Sequence, residues 1–256
     1  NKFSLKGSSH LLTEVKRQED GSYILKYATN IRIGIDNNLK NVSLQGIQKQ
    51  SIHAASNNYL KEYLNNGMES VVSIGTTHKM NMMFNSIIRN KIYGNTPGII
   101  ESEDLLLIAQ TWRRNGNQLY SGDHVLVEEV QIEKIETVAN LKFVPVKLRS
   151  KDLNDQDEII EDYLLLDCLT NPKGLSAEQE SKLRHERFRK NKIYRESGNT
   201  SDDRYVGAIR ANYGHSITCN KAQGGEWNKV LINSYYMPSL RYQYTAITRA
   251  KESLVF

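Results

Sequence analysis

Two short blocks near the carboxyl end hold residue types that handle phosphates: Thr218–Trp227 (TCNKAQGGEW) and Tyr244–Lys251 (YTAITRAK). In the first, Gly224 and Gly225 allow close backbone approach to a phosphate, Gln223 can donate to phosphate oxygens, and Glu226 can accept hydrogen bonds from a ribose. Thr218, Asn220 and Lys221 offer a hydroxyl, an amide and an ammonium suited to a nucleic-acid backbone. In the second block the Arg249 guanidinium can reach a γ-phosphate and stabilise charge that develops during hydrolysis. Each block also has an ordinary reading, a helix-start loop with a Gly-Gly turn and an arginine that caps a helix end. Further upstream, the polar turn Thr76–Lys79 places Thr77 and His78 where they could grip the phosphates of a single strand, with Asn85 and Arg89 on the helix that follows. Trp112 and Tyr120 flank the basic turn Arg113–Asn117, which reads either as a base-stacking platform or as a plain hairpin.

The elements that must position these residues can be read from periodicity. Ile24, Tyr27, Ala28 and Ile31 recur at helical spacing behind a capping Ser22, so a helix is expected over residues 22–33. A strand at Val71–Ile74 precedes a helix with Met80, Met83, Phe84, Ile87 and Ile88 on one face, and the methionines read as core. Leu105–Ala109 reads as a third strand in the same β/α alternation, which predicts a parallel sheet flanked by helices. The pattern then changes: Asp123–Glu129, Lys142–Leu148 and Tyr163–Asp167 suggest antiparallel strands around a polar, acidic stretch, Ser150–Glu161. A charged helix at Ala177–Lys190 and a linker-like run, Ser197–Arg204, close this region. From Val206 the α/β pattern resumes, with a strand ending near Ala211 delivering the first block to the carboxyl edge of the sheet in a strand-helix-strand-helix-strand unit. The expected organisation is a head at residues 1–38, an α/β domain formed by 39–121 and 206–256, and an inserted small β-barrel with a charged arm at 122–205.

Composition narrows the classes. The 256 residues suffice for a substantial core, and no apolar run approaches the roughly 20 residues that span a bilayer. Asn1–His10 is polar and does not begin with Met, which suggests a piece of a longer protein without a secretory leader. Two distant cysteines, Cys168 and Cys219, fit a reduced, cytoplasmic setting better than a disulfide scaffold, and the six histidines lack zinc-ligand spacing, so no metal site is expected. A net charge of +5 is compatible with a polyanionic partner. No GxxxxGK[ST] occurs and no apolar strand ends in Asp-Glu; Asp157-Glu158 sits in a polar stretch. Hydrolysis of a nucleoside triphosphate by these residues alone is therefore not expected.

Taken together, the blocks resemble the later motifs of superfamily 1 helicases, in the RecD-like branch that also includes Dda and Pif1. TCNKAQGGEW resembles motif V and YTAITRAK motif VI; Leu11–Gln18 (LLTEVKRQ) resembles the element after motif III, with Arg17 as its arginine. Thr76–Arg89 (TTHKMNMMFNSIIR) resembles the start of a second RecA-like domain, and Tyr120–Val125 (YSGDHV) the turn where an SH3-like domain is inserted. Asn220 stands where the branch usually has histidine, and His215 where Tyr or Ala is usual. The resemblance implies an α/β fold, a RecA-like parallel sheet with helices on both faces interrupted by a small SH3-like β-barrel. Residues 1–38 would be the tail of the first RecA-like domain. It further implies the carboxyl-terminal motor half of an ATP-dependent DNA helicase that moves along single-stranded DNA, 5′-to-3′ in this branch. Gln223, Gly224 and Glu226 would face ATP and Arg17 and Arg249 would sense its γ-phosphate, while Thr77, His78, Thr218, Asn220 and Lys221 would meet DNA. The Mg²⁺ ligands would lie in the other half. Nuclease or repair and recombination subunits are compatible partners, and a membrane is not. The alternative is a catalytically inactive single-strand-binding module or a scaffold for a nuclease.

Overall fold

The computed structural model describes residues 22–43, 49–151, 156–233 and 237–256; Arg17 and the block around it lie outside them. The chain begins with helix α1 (Tyr23–Asp36), capped as expected by Ser22, whose Oγ accepts from the Ile24 amide at 3.2 Å. Helix α2 (Ile52–Asn66) leads into strand β1 (Val71–Gly75), buried along its whole length, and then helix α3 (His78–Tyr93). Eight strands follow, interrupted by helices: β2 (Leu105–Ile108), β3 (Trp112–Arg114), β4 (Asn117–Leu119), β5 (His124–Val130), β6 (Glu136–Val138), β7 (Leu141–Lys151) and β8 (Asp157–Leu165), then α4 (Asp167–Thr170), α5 (Ala177–Lys190), α6 (Lys192–Ser197) and β9 (Ala211–Tyr213). The chain closes with β10 (Ser216–Thr218), β11 (Trp227–Ile232), α7 (Leu240–Ile247) and β12 (Ala250–Val255).

Two sheets result. The first is parallel, in the order β10-β1-β11-β12. Val72, Ile74, Val230 and Ile232 point to one face, where Ile24 and Ile31 of α1 and Leu240 and Ile247 of α7 cover them. Val71 and Leu231 point to the other, against Tyr59 of α2 and Phe84 and Ile88 of α3. Burial on both faces explains the adjacent apolar residues Val71–Val72 of β1 and Val230–Ile232 of β11. The second sheet is antiparallel, in the order β6-β7-β5-β2-β9 with β8 on the far edge of β7. A bridge from Leu164 to Ile209 joins β8 to the segment entering β9, so the strands wrap around Leu106, Ile108, Val125, Leu148 and Ile160.

The two sheets are pinned together by polar side chains of α3. Asn81, Asn85 and Arg89 recur every four residues on its buried face. Asn85 donates to the carbonyls of Tyr213 and Ser216 and accepts from the Ser216 amide. Arg89 donates through Nε and Nη2 to both oxygens of Asp104 at 2.7 and 2.9 Å, and stacks 4.4 Å from the ring centre of Tyr213.

Several expectations are corrected. The predicted third parallel strand at 105–109 is β2, antiparallel to both β5 and β9, because an apolar run does not declare the direction of its partner. Helix α1, expected in the tail of a preceding domain, packs on the parallel sheet through Ile24 and Ile31. Met82 and Met83 are exposed; the buried stripe of α3 is largely amide and guanidinium, because it faces backbone groups between the sheets. The acidic stretch 150–161 is mostly the paired strands β7 and β8, on which Asp157 and Glu158 oppose Lys151 and Ser150. Residues 197–204 form no linker. Asp203 is fully buried, accepting from the amides of Tyr205 and Val206 and from Arg187 and Asn191, and these bonds hold its carboxyl below the usual range despite burial.

Candidate functional site

The first block connects two strands that run in the same direction. Thr218 ends β10 beside Gly75, at the carboxyl edge of the parallel sheet, whereas Trp227 begins β11 at its amino edge, paired with Ala250. Residues 219–226 therefore cross from edge to edge, and they do so in turns rather than in the helix expected between two strands. The delivering strand is β10, not β9, which pairs with β2 in the other sheet. Ala222, fully buried, and Cys219 anchor the crossing loop in the core, and Gly224 takes φ +92, a left-handed conformation natural to glycine. A Cβ on Gly225 would lie 2.3 Å from the Trp227 ring, so this glycine is required for the ring to fold back beneath the loop.

The second block meets the first at the amino edge. The Trp227 amide donates to the Arg249 carbonyl at 3.0 Å. The Arg249 guanidinium, half-buried, donates to the Thr245 carbonyl at 3.1 Å, the Gly225 carbonyl at 3.3 Å and Thr248 Oγ1 at 3.2 Å. It thus closes the carboxyl end of α7 and ties it to the glycine pair. Lys251 Nζ lies 3.7 Å from Glu226.

On its outer side the crossing loop forms one wall of a cleft of about 1270 Å³. Thr218, Asn220, Gln223, Gly224 and Glu226 line this wall, and His78 stands at its carboxyl end. The facing wall comes from the β3–β4 hairpin with Asn117 and Gln118, the turn Tyr120–His124, and Ser150, Lys151 and Glu158 of the antiparallel sheet. The hairpin turns through Asn115 and Gly116 at φ 53 and 86, the left-handed pair of a two-residue turn.

The residues singled out in the sequence are thereby sorted. Those expected at nucleotide (Gln223, Gly224, Glu226) and most of those expected at nucleic acid (His78, Thr218, Asn220) share one cleft. Lys221 borders it, but its ammonium donates to the Ala109 carbonyl at 3.1 Å and to Ser121 Oγ at 2.8 Å, and partial burial pushes its pKa down. It ties the crossing loop to the opposite wall. Thr77 is taken up locally: its Oγ1 accepts from the Met80 amide as the cap of α3. Of the stacking pair, Trp112 is buried with its indole N–H donating to Asp162 at 2.9 Å, which leaves Tyr120, 48% exposed, on the cleft. Ser121, His124 and Lys151 were missed, because nothing local in the sequence marks a cleft wall contributed by another sheet.

His215 is explained by its surroundings. It is fully buried, its Nδ1 lies 3.1 Å from the Tyr59 hydroxyl, and its ring meets those of Tyr59 and Tyr63 edge-on. Burial pushes its pKa down to about 3, so the ring is neutral. His124 Nε2 donates to the Gly214 carbonyl at 3.0 Å, and its pKa is lowered by desolvation.

The groups present fit a phosphate-bearing ligand at the crossing loop, which offers a bare glycine backbone, an exposed glutamine and a neighbouring arginine. They do not fit a metal ion: among the described residues no three His, Cys, Asp or Glu side chains converge. Nor is any described helix long and apolar enough to cross a membrane.

Residues 213–256 match the family model of the UvrD-like helicase C-terminal domain. Among solved structures, the chain is similar to the Pif1 helicase from Candida albicans, at 13% identity and a TM-score of 0.51, covering 95% of this chain and 55% of that one. A second similar structure is the Pif1 helicase from Bacteroides in complex with ADP-AlF3 and ssDNA, at 12% identity and a TM-score of 0.43, covering 95% of this chain and 50% of that one. The chain spans about half the length of these structures. No curated protein matches it. The likeness to the Candida albicans structure gives the fold, a RecA-like parallel sheet with helices on both faces.

Proposed function

We propose that this chain is the carboxyl-terminal motor half of an ATP-dependent DNA helicase, of the superfamily 1 branch that includes Pif1 and Dda, and that it moves on single-stranded DNA in the 5′-to-3′ direction. One observation carries the reading: the two phosphate-handling blocks are joined by the Arg249 guanidinium on the Gly225 carbonyl, residues 24 positions apart, within the segment that matches the helicase model. The parallel sheet with α1, α2, α3 and α7 would form the motor proper, and an SH3-like insertion would form the opposite wall of the cleft, built on the antiparallel sheet and so taking in β2 and β9 from outside the expected bounds of 122–205.

ATP, when bound, would supply the bond whose hydrolysis drives movement. Gln223, Gly224 and Glu226 would hold it, Arg249 and Arg17 would answer its γ-phosphate, and its Mg²⁺ would be held by residues of the other half, as no group of three His, Cys, Asp or Glu side chains converges among the described residues. For Arg249 the structure supports a fixed position: three of its five N–H donors hold the Thr245 and Gly225 carbonyls and Thr248 Oγ1, so the guanidinium is set by the crossing loop and the end of α7 together. Thr218, Asn220 and His78 would face the strand, and Lys221 would keep their loop against the barrel.

The test is unwinding of duplexes with 5′ or 3′ tails by the protein that carries this chain together with a phosphate-loop domain. ATP-dependent unwinding from the 5′ tail is expected. Strand binding without ATP turnover would instead favour a catalytically inactive single-strand-binding module or a scaffold for nuclease or repair subunits.

A further inference from the structure

The charges on the cleft do not suit a nucleic-acid backbone. Four carboxylates line it, Glu69, Asp123, Glu158 and Glu226, against two ammonium groups. Both ammonium groups are engaged: Lys151 pairs with Glu69 at 3.0 Å, and Lys221 is bonded to the Ala109 carbonyl and Ser121. A strand's phosphates running between the walls, away from the glycine pair and Arg249, would meet negative charge with no uncommitted lysine or arginine among the described residues that line them.

The neutral groups point to a different occupant. Asn117, Gln118 and Asn220 bring donors and acceptors to the cleft, the pairing chemistry of base edges. Gln118 has an unmet need: its Oε1 accepts from Arg113 Nε at 2.8 Å, but its Nε2 is buried without a partner. Tyr120 adds a half-exposed ring on a turn whose backbone is fixed, since its amide donates to Asp123 Oδ2 at 2.6 Å.

We infer that the cleft takes a single strand base-first, with Tyr120 as a stacking platform and the amides at base edges, while the phosphates stay toward solvent. This rests on the proposed single-strand binding and reverses the backbone-first arrangement that the residue types suggested. Carboxylates on the walls then repel the wrong face of the strand and leave the bases as the only part that fits.

The experiment is a fluorescence-anisotropy titration of this chain with oligothymidylate and with an abasic strand of equal length and charge, from about 50 to 200 mM salt. The abasic strand is expected to bind about tenfold or more weakly, because each lost base–aromatic stack is worth that much. Tyr120→Ala should lose about tenfold on oligothymidylate and nothing further on the abasic strand, and Tyr120→Phe should bind as the parent does. Equal affinity for both strands, with a steep salt slope, would overturn the base-first arrangement and leave single-strand binding intact. So would a Tyr120→Ala loss equal on both strands, which would mark a merely structural tyrosine. Binding of neither strand would overturn the single-strand reading itself.

Discussion

Replacing Arg89 by Met should cost far more than an exposed salt bridge would, because of what it leaves behind. The Asp104 side chain is fully buried and that of Arg89 only 7% exposed. Without the guanidinium, Asp104 keeps one hydrogen bond, from the Glu101 amide at 2.8 Å, and burial already pushes its pKa up. An uncompensated buried carboxylate costs about 3–5 kcal/mol, or takes up a proton at similar expense. For a chain of this size that corresponds to a fall in Tm of roughly 6–20 °C. The pair also joins α3 to β2, and hence the parallel sheet to the antiparallel one. The two tryptophans report on these parts separately, Trp227 in the parallel-sheet core and Trp112 in the other. In urea, single-tryptophan variants of the parent should unfold at one midpoint, whereas in Arg89→Met the two midpoints should separate. The double variant Arg89→Met/Asp104→Leu should recover most of the loss, since two apolar groups replace a matched pair. A loss below about 1 kcal/mol, or a double variant no better than the single one, would show that the pair is not the pin described.

Other outcomes follow from the site. His215 is neutral in the folded chain down to about pH 3 but protonates near 6.5 when unfolded, so its contribution to stability is complete above pH 6.5 and is lost as pH falls toward 3. Urea midpoints of His215→Gln measured from pH 4 to 7 should show a shallower acid dependence than the parent, and superimposable profiles would refute the assignment. Lys221→Met should weaken strand binding by loosening loop 219–226, seen as faster amide exchange there, while leaving the salt slope unchanged; a slope reduced by about 0.7 would mean that Lys221 contacts a phosphate after all. Gly225→Ala should displace the Trp227 ring and cost about 1–3 kcal/mol, with a shift in tryptophan emission; an unchanged spectrum and Tm would refute the close packing. In the protein that carries a phosphate-loop domain, Arg249→Ala should abolish ATP turnover while ATP is still bound, and near-normal turnover would remove Arg249 from the γ-phosphate.

What could be read from the sequence was local. The helix Ala177–Lys190 was bounded correctly because its Ser176 cap, acidic first turn and basic last turn all act within one turn of the backbone. Strand β1 and the start of α1 were legible for the same reason, and the two phosphate-handling blocks carry their chemistry in adjacent residues. Tertiary structure decided whatever depended on a distant partner. Leu105–Ile108 is apolar in either sheet, and only the pairing with β5 and β9 made it antiparallel. Lys221 looked like a phosphate ligand until Ser121, a hundred positions away, took its ammonium. Trp112 and Tyr120 were equivalent in sequence, yet one fills a core and the other faces the cleft. Capping and periodicity are set by neighbours along the chain, but the partners of a strand edge or a side chain are set by the whole fold. The sequence therefore specified which groups were present, and only the packed chain settled which of them face the cleft.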